Sequence, residues 1–546
     1  MALLITLLVL LAATAGLLPF AFRLVGKLIG RNIRSRTQYK REILLSRALA
    51  EAANQAAGQE GTPSKPASSS TSLDSDWEQV HDGGEKTPTG QRTTAPGDSY
   101  DGVIGFFHPF CNAGGGGERV LFAAVLATQQ RYPKALCVVY TGDDARKEEI
   151  IENVMKRFNI NLNPARIAFV YPTTRDWVLA SRWPHFTLLG QSVGSLILGW
   201  DSFNTLVPDV FVDTMGYAFV LALSKWLFPH VPTGAYVHFP TISTDMLRSL
   251  HDEAGSGGVN AGTGKGAKGK VKEIYWELFA KLYCWVGGSV DVVMTNSSWT
   301  QRHISSLWGP SRTNRKKQHK IEVVYPPCPV EELHEKIPVD CDKQRTNNIL
   351  YIAQFRPEKM HQTIIEAFHT FLRNHHRNTP VESRPKLVLV GSVRDDSDEK
   401  RVYKLRLQAQ EIKDSVIFHV NAKWTQMVEE EKTCSVGVNG MWNEHFGIGV
   451  VEYQAAGLIS VVNNSGGPKE DIVIPIDGKP TGFHASTPSE FAEGFAQALS
   501  LSEEEALAMR QRARKSSWRF SEKVFRDAWL SQLENLLSLV RDRDKQ

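Results

Sequence analysis

Two doubly wound α/β domains in succession, facing each other across a cleft, are the fold this sequence predicts, and three observations carry the prediction. At 546 residues the chain is too long for one ordinary core, and its low-complexity stretches still leave enough for two domains of about 200 residues. Short β-rich runs alternate with helix-like segments, and strands buried on both faces with helical crossovers build parallel sheets. The runs fall into two sets, parted by a hinge near Pro326 to Asp340. Ligands of such sheets sit at the carboxyl ends of the strands, so chemistry is expected in the cleft.

The chain opens on "MALLITLLVLLAATAGLLPFAF", uncharged over about 22 residues and long enough to cross a bilayer core. Residues 1–22 therefore read as a transmembrane anchor. A signal peptide cleaved at "ATAG" is the rival, against which stand the missing basic n-region and the length of the apolar run. Arg23, Lys27, Arg31, Arg34, Arg36, Lys40 and Arg41 follow before the first acid. Such a cluster stays cytoplasmic and suits anionic headgroups, which puts the body of the chain in the cytosol. Residues 51–99, rich in Ser, Thr, Gly, Pro and Gln, read as a disordered linker that closes a juxtamembrane segment over 23–99.

The first domain is expected over 100–335. Its opening strand is Val103 to Phe107, followed by "HPFCNAGGGGERVLF", a glycine turn that runs into a helix. "ALCVVYTG", "ARIAFVYP", "DVFVDTMGYAF", "GAYVHFP", "DVVMTNS" and "IEVVYPPCP" complete the set, with flexible inserts over 252–272 and 309–320. "FTLLGQSVGSLILGW" (186–200) and "MGYAFVLALSKWLF" (215–228) are apolar enough either to touch a membrane surface or to be buried against the sheet. The second domain, 336–546, holds "NNILYIAQF", "KLVLVGS", "SVIFHV", "CSVGVNG" and "ISVVNNSGG", then a C-terminal helical segment.

A net charge of +4, with 22% charged residues, is too small to suggest nucleic acid. Six cysteines without paired spacing argue for reduced thiols rather than disulfides or a zinc site. The acid strings at 74–76, 340–342 and 396–398 fall in a linker, the hinge and a polar loop, so no metal site is expected.

The sharpest chemical signal is "MWNEHFGIGVVEYQAAGLISVVNNSGGPKED", 441–471. Glu444 precedes a helix starting near Gly447, Glu452 lies in its second turn, and Gly457 suits the helix end. Backbone N–H groups at Phe446, Gly447 and Ile448 would form an anion site at that helix N-terminus. An ordinary charged helix edge is the alternative. Glu followed eight residues later by Glu, around "FGIGVVEYQAAG", resembles the retaining GT-B glycosyltransferases, a large family that includes many mannosyltransferases. The resemblance implies a GT-B fold of two Rossmann-like domains, with Glu444 near the donor sugar, Glu452 on the nucleotide ribose, and Gly466 and Gly467 in the family's following glycine loop. In "AQFRPEKMHQ" Lys359 matches the family lysine that neutralises the leaving diphosphate. The family's arginine position is Gln354, and Arg356, two residues along the strand end, points the same way. His238, in "GAYVHFPTIS", matches the family's cleft histidine, with a core histidine as the alternative. Asn296 and Ser297 are further cleft contacts.

Taken over residues 100–530, the chain looks like the dolichol-pathway α-1,2-mannosyltransferases. That resemblance implies GDP-mannose as donor, a dolichyl-pyrophosphate trimannosyl oligosaccharide as acceptor, two successive α-1,2 additions with retention at the cytosolic face of the endoplasmic reticulum membrane, and neither metal nor cofactor. Other mannosyltransferases of the pathway are the implied protein partners. The alternatives are another cytosolic-face GT-B transferase or a catalytically silent, membrane-tethered subunit. The glycine turn lacks the Lys-Ser/Thr ending of a P-loop. Gly115 and Gly116 are instead expected on the opposing wall, where bare backbone closes against the donor's pyrophosphate.

Overall fold

The computed structural model describes residues 2–60, 100–252, 262–339 and 345–544, the side chains of 2–16, 56–60 and 543–544 excepted. The strands of the first domain are β1 (Val103–Phe107), β2 (Leu136–Tyr140), β3 (Ile167–Val170), β4 (Val210–Asp213), β5 (Thr233–Val237), β6 (Val292–Thr295) and β7 (Ile321–Val323). They form one sheet in the order β3-β2-β1-β4-β5-β6-β7. The second domain holds β8 (Thr346–Ile352), β9 (Leu387–Gly391), β10 (Val416–Val420), β11 (Cys434–Asn439), β12 (Ile459–Asn463) and β13 (Gly482–Ala485), in the order β10-β9-β8-β11-β12-β13. Every pairing in both sheets is parallel. β1, β2 and β4 are buried from end to end, as strands covered by helices on both faces must be.

This order places the chemistry. The strand sequence reverses at β1 and β4 in one sheet and at β8 and β11 in the other, and ligands bind beside the carboxyl ends at such switch points. The glycine turn leaves β1, and "DTMG" ends β4. "AQFRPEK" leaves β8, and "GMWNEHF" leaves β11.

Several segments differ from the sequence expectations. The first helix runs without a break over Ala2–Glu60, so 51–60 is helix rather than linker; 61–99 lies outside the described residues. The helix lies along the first domain. Ile33 and Ala48 are buried, Arg34 and Arg41 reach Asp209 at 3.2 and 2.6 Å, and Glu51 meets Lys147 at 3.0 Å. A side chain at Gly30 would come within 1.9 Å of the Leu227 carbonyl, so that glycine permits the contact. Among the described residues no helix is long and apolar enough to cross a membrane, and the side chains of most of the expected anchor lie outside them.

The basic stretch 309–320, expected as a loop, is helical to Asn314. Two of its charges are structural: Arg312 is buried and donates to the carbonyls of Asp291 (3.1 Å) and His319 (2.7 Å), and Lys317 pairs with Asp291 at 2.5 Å, whereas Arg315, Lys316 and Lys320 are exposed. In the other expected insert, residues 266–272 begin the helix Gly266–Gly287, and 253–261 lie outside the described residues. The helix Ala218–Leu227 buries Phe219, Val220, Leu221 and Leu227, the core alternative for 215–228. The helix Thr187–Thr205 buries Leu198 and Phe203 while Leu189, Val193 and Trp200 stay exposed.

The C-terminal helix Glu522–Asp544, expected within the second domain, returns to the first. Phe525, Trp529, Leu533, Leu536, Leu537 and Val540 recur at three- and four-residue spacing and complete a core with Phe106 and Val125. Trp529 donates to Thr128 Oγ1 at 3.1 Å.

Candidate active site

Between the domains lies a hollow of about 290 Å³, walled by Gly116, Gly117, His238 and Asn296 from the first domain and by Lys359, Asn439 and the turn Glu444–Gly449 from the second. It opens into a larger one of about 860 Å³, bounded by Gly114–Gly117, Arg119 and Arg157 on one side and by Gln354, Arg356, Arg394, Trp424 and Glu452 on the other, with Lys359 shared.

On the second-domain wall, Lys359 Nζ and Glu444 Oε2 are paired at 2.5 Å. Burial pushes the Glu444 carboxyl up, but the charge and hydrogen bond of Lys359 outweigh it and hold the group below its ordinary value. The ammonium also lies 3.2 Å from Met441 Sδ, and the Tyr351 hydroxyl donates to the Lys359 carbonyl, fixing the turn after β8. Gly447, at φ +104°, starts the helix Ile448–Ala456 with no side-chain cap. The Val450 amide bonds the Gly447 carbonyl at 2.9 Å, which leaves the Ile448 and Gly449 amides at the start of the helix, on a turn that faces the hollow. Gly457, at φ +85°, ends the helix.

Gly466 and Gly467 line neither hollow. They lie beneath the turn: the Gly467 amide donates to the Glu444 carbonyl at 2.8 Å, and a side chain at Gly466 would come within 2.3 Å of that oxygen. Glu452 faces the larger hollow, where burial pushes its carboxyl up and Arg119 opposes the shift. Arg356 lines the same hollow beside Arg394, 3.8 Å from Glu358. Glu470 bridges the domains instead, gripping Arg302 through two bonds of 2.6 and 2.7 Å.

On the first-domain wall, Gly116 lies against the other domain, since a side chain there would come within 2.7 Å of Ile448 Cδ1. The Gly115 amide is committed to Glu118 Oε2 at 2.6 Å and is not the amide the loop offers a phosphate. The other Glu118 oxygen faces His108 Nε2 at 3.5 Å, and His108 Nδ1 faces Thr214 Oγ1 at 2.8 Å. The Thr214 carbonyl accepts from His238 Nε2 at 3.0 Å. This relay fixes the His238 tautomer and leaves Nδ1 as the acceptor edge. Burial drives the His238 pKa down to about 4, so the ring is neutral at physiological pH. Beside it, buried Asp213 accepts from the amides of Met215 (3.2 Å) and Gly216 (2.8 Å), and burial pushes its carboxyl up to about 7.

Sequence reasoning did not find Glu118, His108, Thr214, Arg119, Arg394 or His445. Glu118 carried a signal, a glutamate three residues into a helix entered from glycine, which is half of a capping box. His108 and Thr214 carried none, because a fold-long separation joins them. His445 stacks on Phe239 of the first domain, ring centres 5.2 Å apart, and burial drives its pKa down to about 4. The acid string 396–398 opens the helix Asp396–Gln408, whose first amides bond Asp395; 340–342 lies outside the described residues. Among the described residues no group of three or more His, Cys, Asp or Glu is arranged to hold a metal ion.

Residues 101–308 match the family model described as ALG11 mannosyltransferase N-terminus, and 334–516 match Glycosyl transferases group 1. The chain is 55% identical over 536 residues to the GDP-Man:Man(3)GlcNAc(2)-PP-Dol alpha-1,2-mannosyltransferase of Neurospora crassa, covering 96% of this chain and 94% of that protein. Proteins of the same name from Homo sapiens (46%) and Dictyostelium discoideum (43%) each align over 80% of this chain and 87% and 85% of their own lengths. Among solved structures, the α,α-trehalose-6-phosphate synthase of Burkholderia multivorans superposes with a TM-score of 0.57 at 14% identity, over 80% of this chain and 99% of that one. A glycosyltransferase of Rickettsia africae gives 0.50 at 15%, over 80% and 99%. The fold is GT-B.

Proposed function

The chain belongs to the family of GDP-Man:Man(3)GlcNAc(2)-PP-Dol alpha-1,2-mannosyltransferases, and from that premise we propose that it moves mannose from GDP-mannose to a dolichyl-pyrophosphate-linked trimannosyl oligosaccharide, in α-1,2 linkage with retention, adding the fourth and fifth mannoses. The observation that carries the reading is the Lys359–Glu444 pair beside an uncapped helix N-terminus, facing a bare glycine loop across the cleft.

Among the described residues the smaller hollow is lined by a single acid, Glu444, rather than by the pair a double displacement uses. In the proposed step the bond from the anomeric carbon to the phosphate oxygen breaks as the bond to the acceptor oxygen forms on the same face. The acceptor's proton passes to the departing phosphate, and GDP leaves. Lys359, Arg356 and the amides at Ile448 and Gly449 meet the developing diphosphate charge. Glu444, oriented by Lys359, holds the sugar hydroxyls, and Glu452 the ribose. Neutral His238 offers Nδ1 to the sugar edge. The reaction runs without a metal, and EDTA is expected to leave its rate unchanged. Incubation of the full chain with GDP-mannose and the trimannosyl lipid, followed by α-1,2-mannosidase digestion, tests the whole reading; a product resistant to that enzyme overturns it.

We place the protein on the cytosolic face of the endoplasmic reticulum membrane, anchored through residues 1–22. Exposed apolar side chains support membrane contact. Leu17, Leu18, Phe20 and Phe22 continue the uncharged N-terminal run, and Val271, Ile274, Leu278, Leu282 and Trp285 form a stripe along the helix Gly266–Gly287. Vesicle flotation of the chain with and without Ile274→Ser, Leu278→Ser and Trp285→Ser tests the second surface.

A further inference from the structure

A third hollow, of about 270 Å³, adjoins the sugar hollow and shares His445 with it. Its walls are the sequence neighbours of the residues that face the donor: Phe239 follows His238, Met360 follows Lys359, and Met441, Trp442 and Asn443 precede Glu444. At two of these junctions the backbone of a residue with a side chain is left-handed, Met360 at φ +54° and Asn443 at φ +50°. Asparagine takes that conformation readily, but for methionine it is costly, and such strain tends to be kept where function needs it. Consecutive side chains thereby divide between the two hollows.

The lining is aromatic and sulfur-rich, with Glu358, Thr241, Ser243, Ser249, Asn443 and His445 as its polar residues and with no lysine or arginine. A wall without cations does not suit a diphosphate. Phe239 is 48% exposed although it sits in the cleft, and its ring is held parallel to His445. A flat ring held open beside a few hydrogen-bonding groups suits a hexopyranose, whose C–H face stacks while its hydroxyls bond at the edge.

We propose that this hollow seats the terminal mannose of the acceptor oligosaccharide, stacked between Phe239 and Trp442 with its hydroxyls toward Asn443 and Glu358. The assignment rests on the donor and acceptor chemistry proposed above. A seat this small grips one ring, so a product ending in a new mannose can enter it again for the second addition.

The test uses the full chain, GDP-mannose and the trimannosyl acceptor on a phytanyl pyrophosphate. Trp442→Ala is expected to raise KM for the acceptor by about tenfold while KM for GDP-mannose and Kd for GDP stay put, and Trp442→Phe to recover most of the loss. If Trp442→Ala does not fold, Phe239→Leu, at an exposed position, carries the same expectation. An unchanged acceptor KM, or a GDP-mannose KM that rises in step, overturns the proposal. A defect that changes with the length of the acceptor's lipid rather than with its terminal mannose assigns the hollow to lipid and also overturns it. Wild-type protein that transfers nothing overturns the proposed function first, and this assignment with it.

Discussion

The two walls of the cleft hold their functional groups by different means. On the second-domain wall, Lys359 and Glu444 touch directly at 2.5 Å, on turns that leave neighbouring strands. On the first-domain wall, His238 is held at the end of a relay that begins at the glycine loop and passes through Glu118, His108 and Thr214. A direct ion pair responds to substitution as a unit. A relay of hydrogen bonds loses geometry by degrees. The comparison teaches that the second-domain wall meets the charge of the reaction, whereas the first-domain wall sets the position of what reacts.

The largest effect is therefore expected at Lys359. Lys359→Ala removes the cation that faces the leaving diphosphate and should lower kcat by about a thousandfold. It also strands Glu444 in a largely buried site, and uncompensated buried charge destabilises folding. The double variant Lys359→Met with Glu444→Gln separates the two effects. Its melting temperature should return toward wild type while activity stays lost, and recovery of activity would show that the pair is structural.

Glu118 comes next. Glu118→Gln keeps an oxygen for the Gly115 amide but removes the charge beside His108, so His238 should drift and kcat fall by up to about a hundredfold, the range for a misplaced reacting group. GDP affinity, read by calorimetry, should be unchanged. An equal loss of GDP affinity would mean that the glycine loop, not His238, has moved.

The same contrast explains what could be read from the sequence. Glu444, Phe446, Gly447, Ile448 and Glu452 lie within nine residues, and helix periodicity turns that spacing into a geometry. The β-rich runs were legible because strands buried on both faces are continuously apolar; β13, a short edge strand reading "GFHA", was not. The relay crosses from β1 to β4 to β5, and no local pattern announces that His108 meets Thr214. The basic run 309–320 misled because composition marks charge as exposed, whereas half-buried Asp291, held between Lys225 and Lys317, draws Lys317 inward and Arg312 is buried. The final helix misled in a similar way, since its apolar stripe gives periodicity but not the sheet it will cover.

Acid sharpens the comparison. His238 and His445 have folded pKa values near 4 against an unfolded value of about 6.5. Between these limits the unfolded chain binds protons that the folded one refuses, so stability is lost as pH falls through that window, by up to about 1.4 kcal/mol per pH unit for each group and less for rings open to the cleft. Asp213 opposes this. Its carboxyl, raised to about 7, keeps its proton in the fold after the unfolded chain has released one, so its contribution declines as pH rises from about 3.8 to 7. Asp213→Asn should therefore steepen the loss of melting temperature between pH 6.5 and 4, and a flatter profile would remove Asp213 from the account.

The smallest effect is expected where the two walls are tied to each other. Arg302 grips Glu470 with two bonds, yet its side chain is 60% exposed, and an exposed pair contributes at most about 1 kcal/mol. Deeper links hold the same joint: the Ser298 amide donates to Asp471 at 2.9 Å, the Tyr325 hydroxyl reaches the other Asp471 oxygen at 2.9 Å, and Asn443 donates to Asp245 at 3.0 Å. Arg302→Ala should therefore leave kcat and both KM values within about twofold and move the melting temperature by about 2 °C or less, because about 1 kcal/mol spread over a chain of this size shifts it little. Asp471→Asn should cost more, since Asp471 anchors the turn that carries the glycines beneath Glu444. If Arg302→Ala instead lowers kcat without changing stability, the exposed bridge governs how the walls close, and closure rather than charge would then limit the rate.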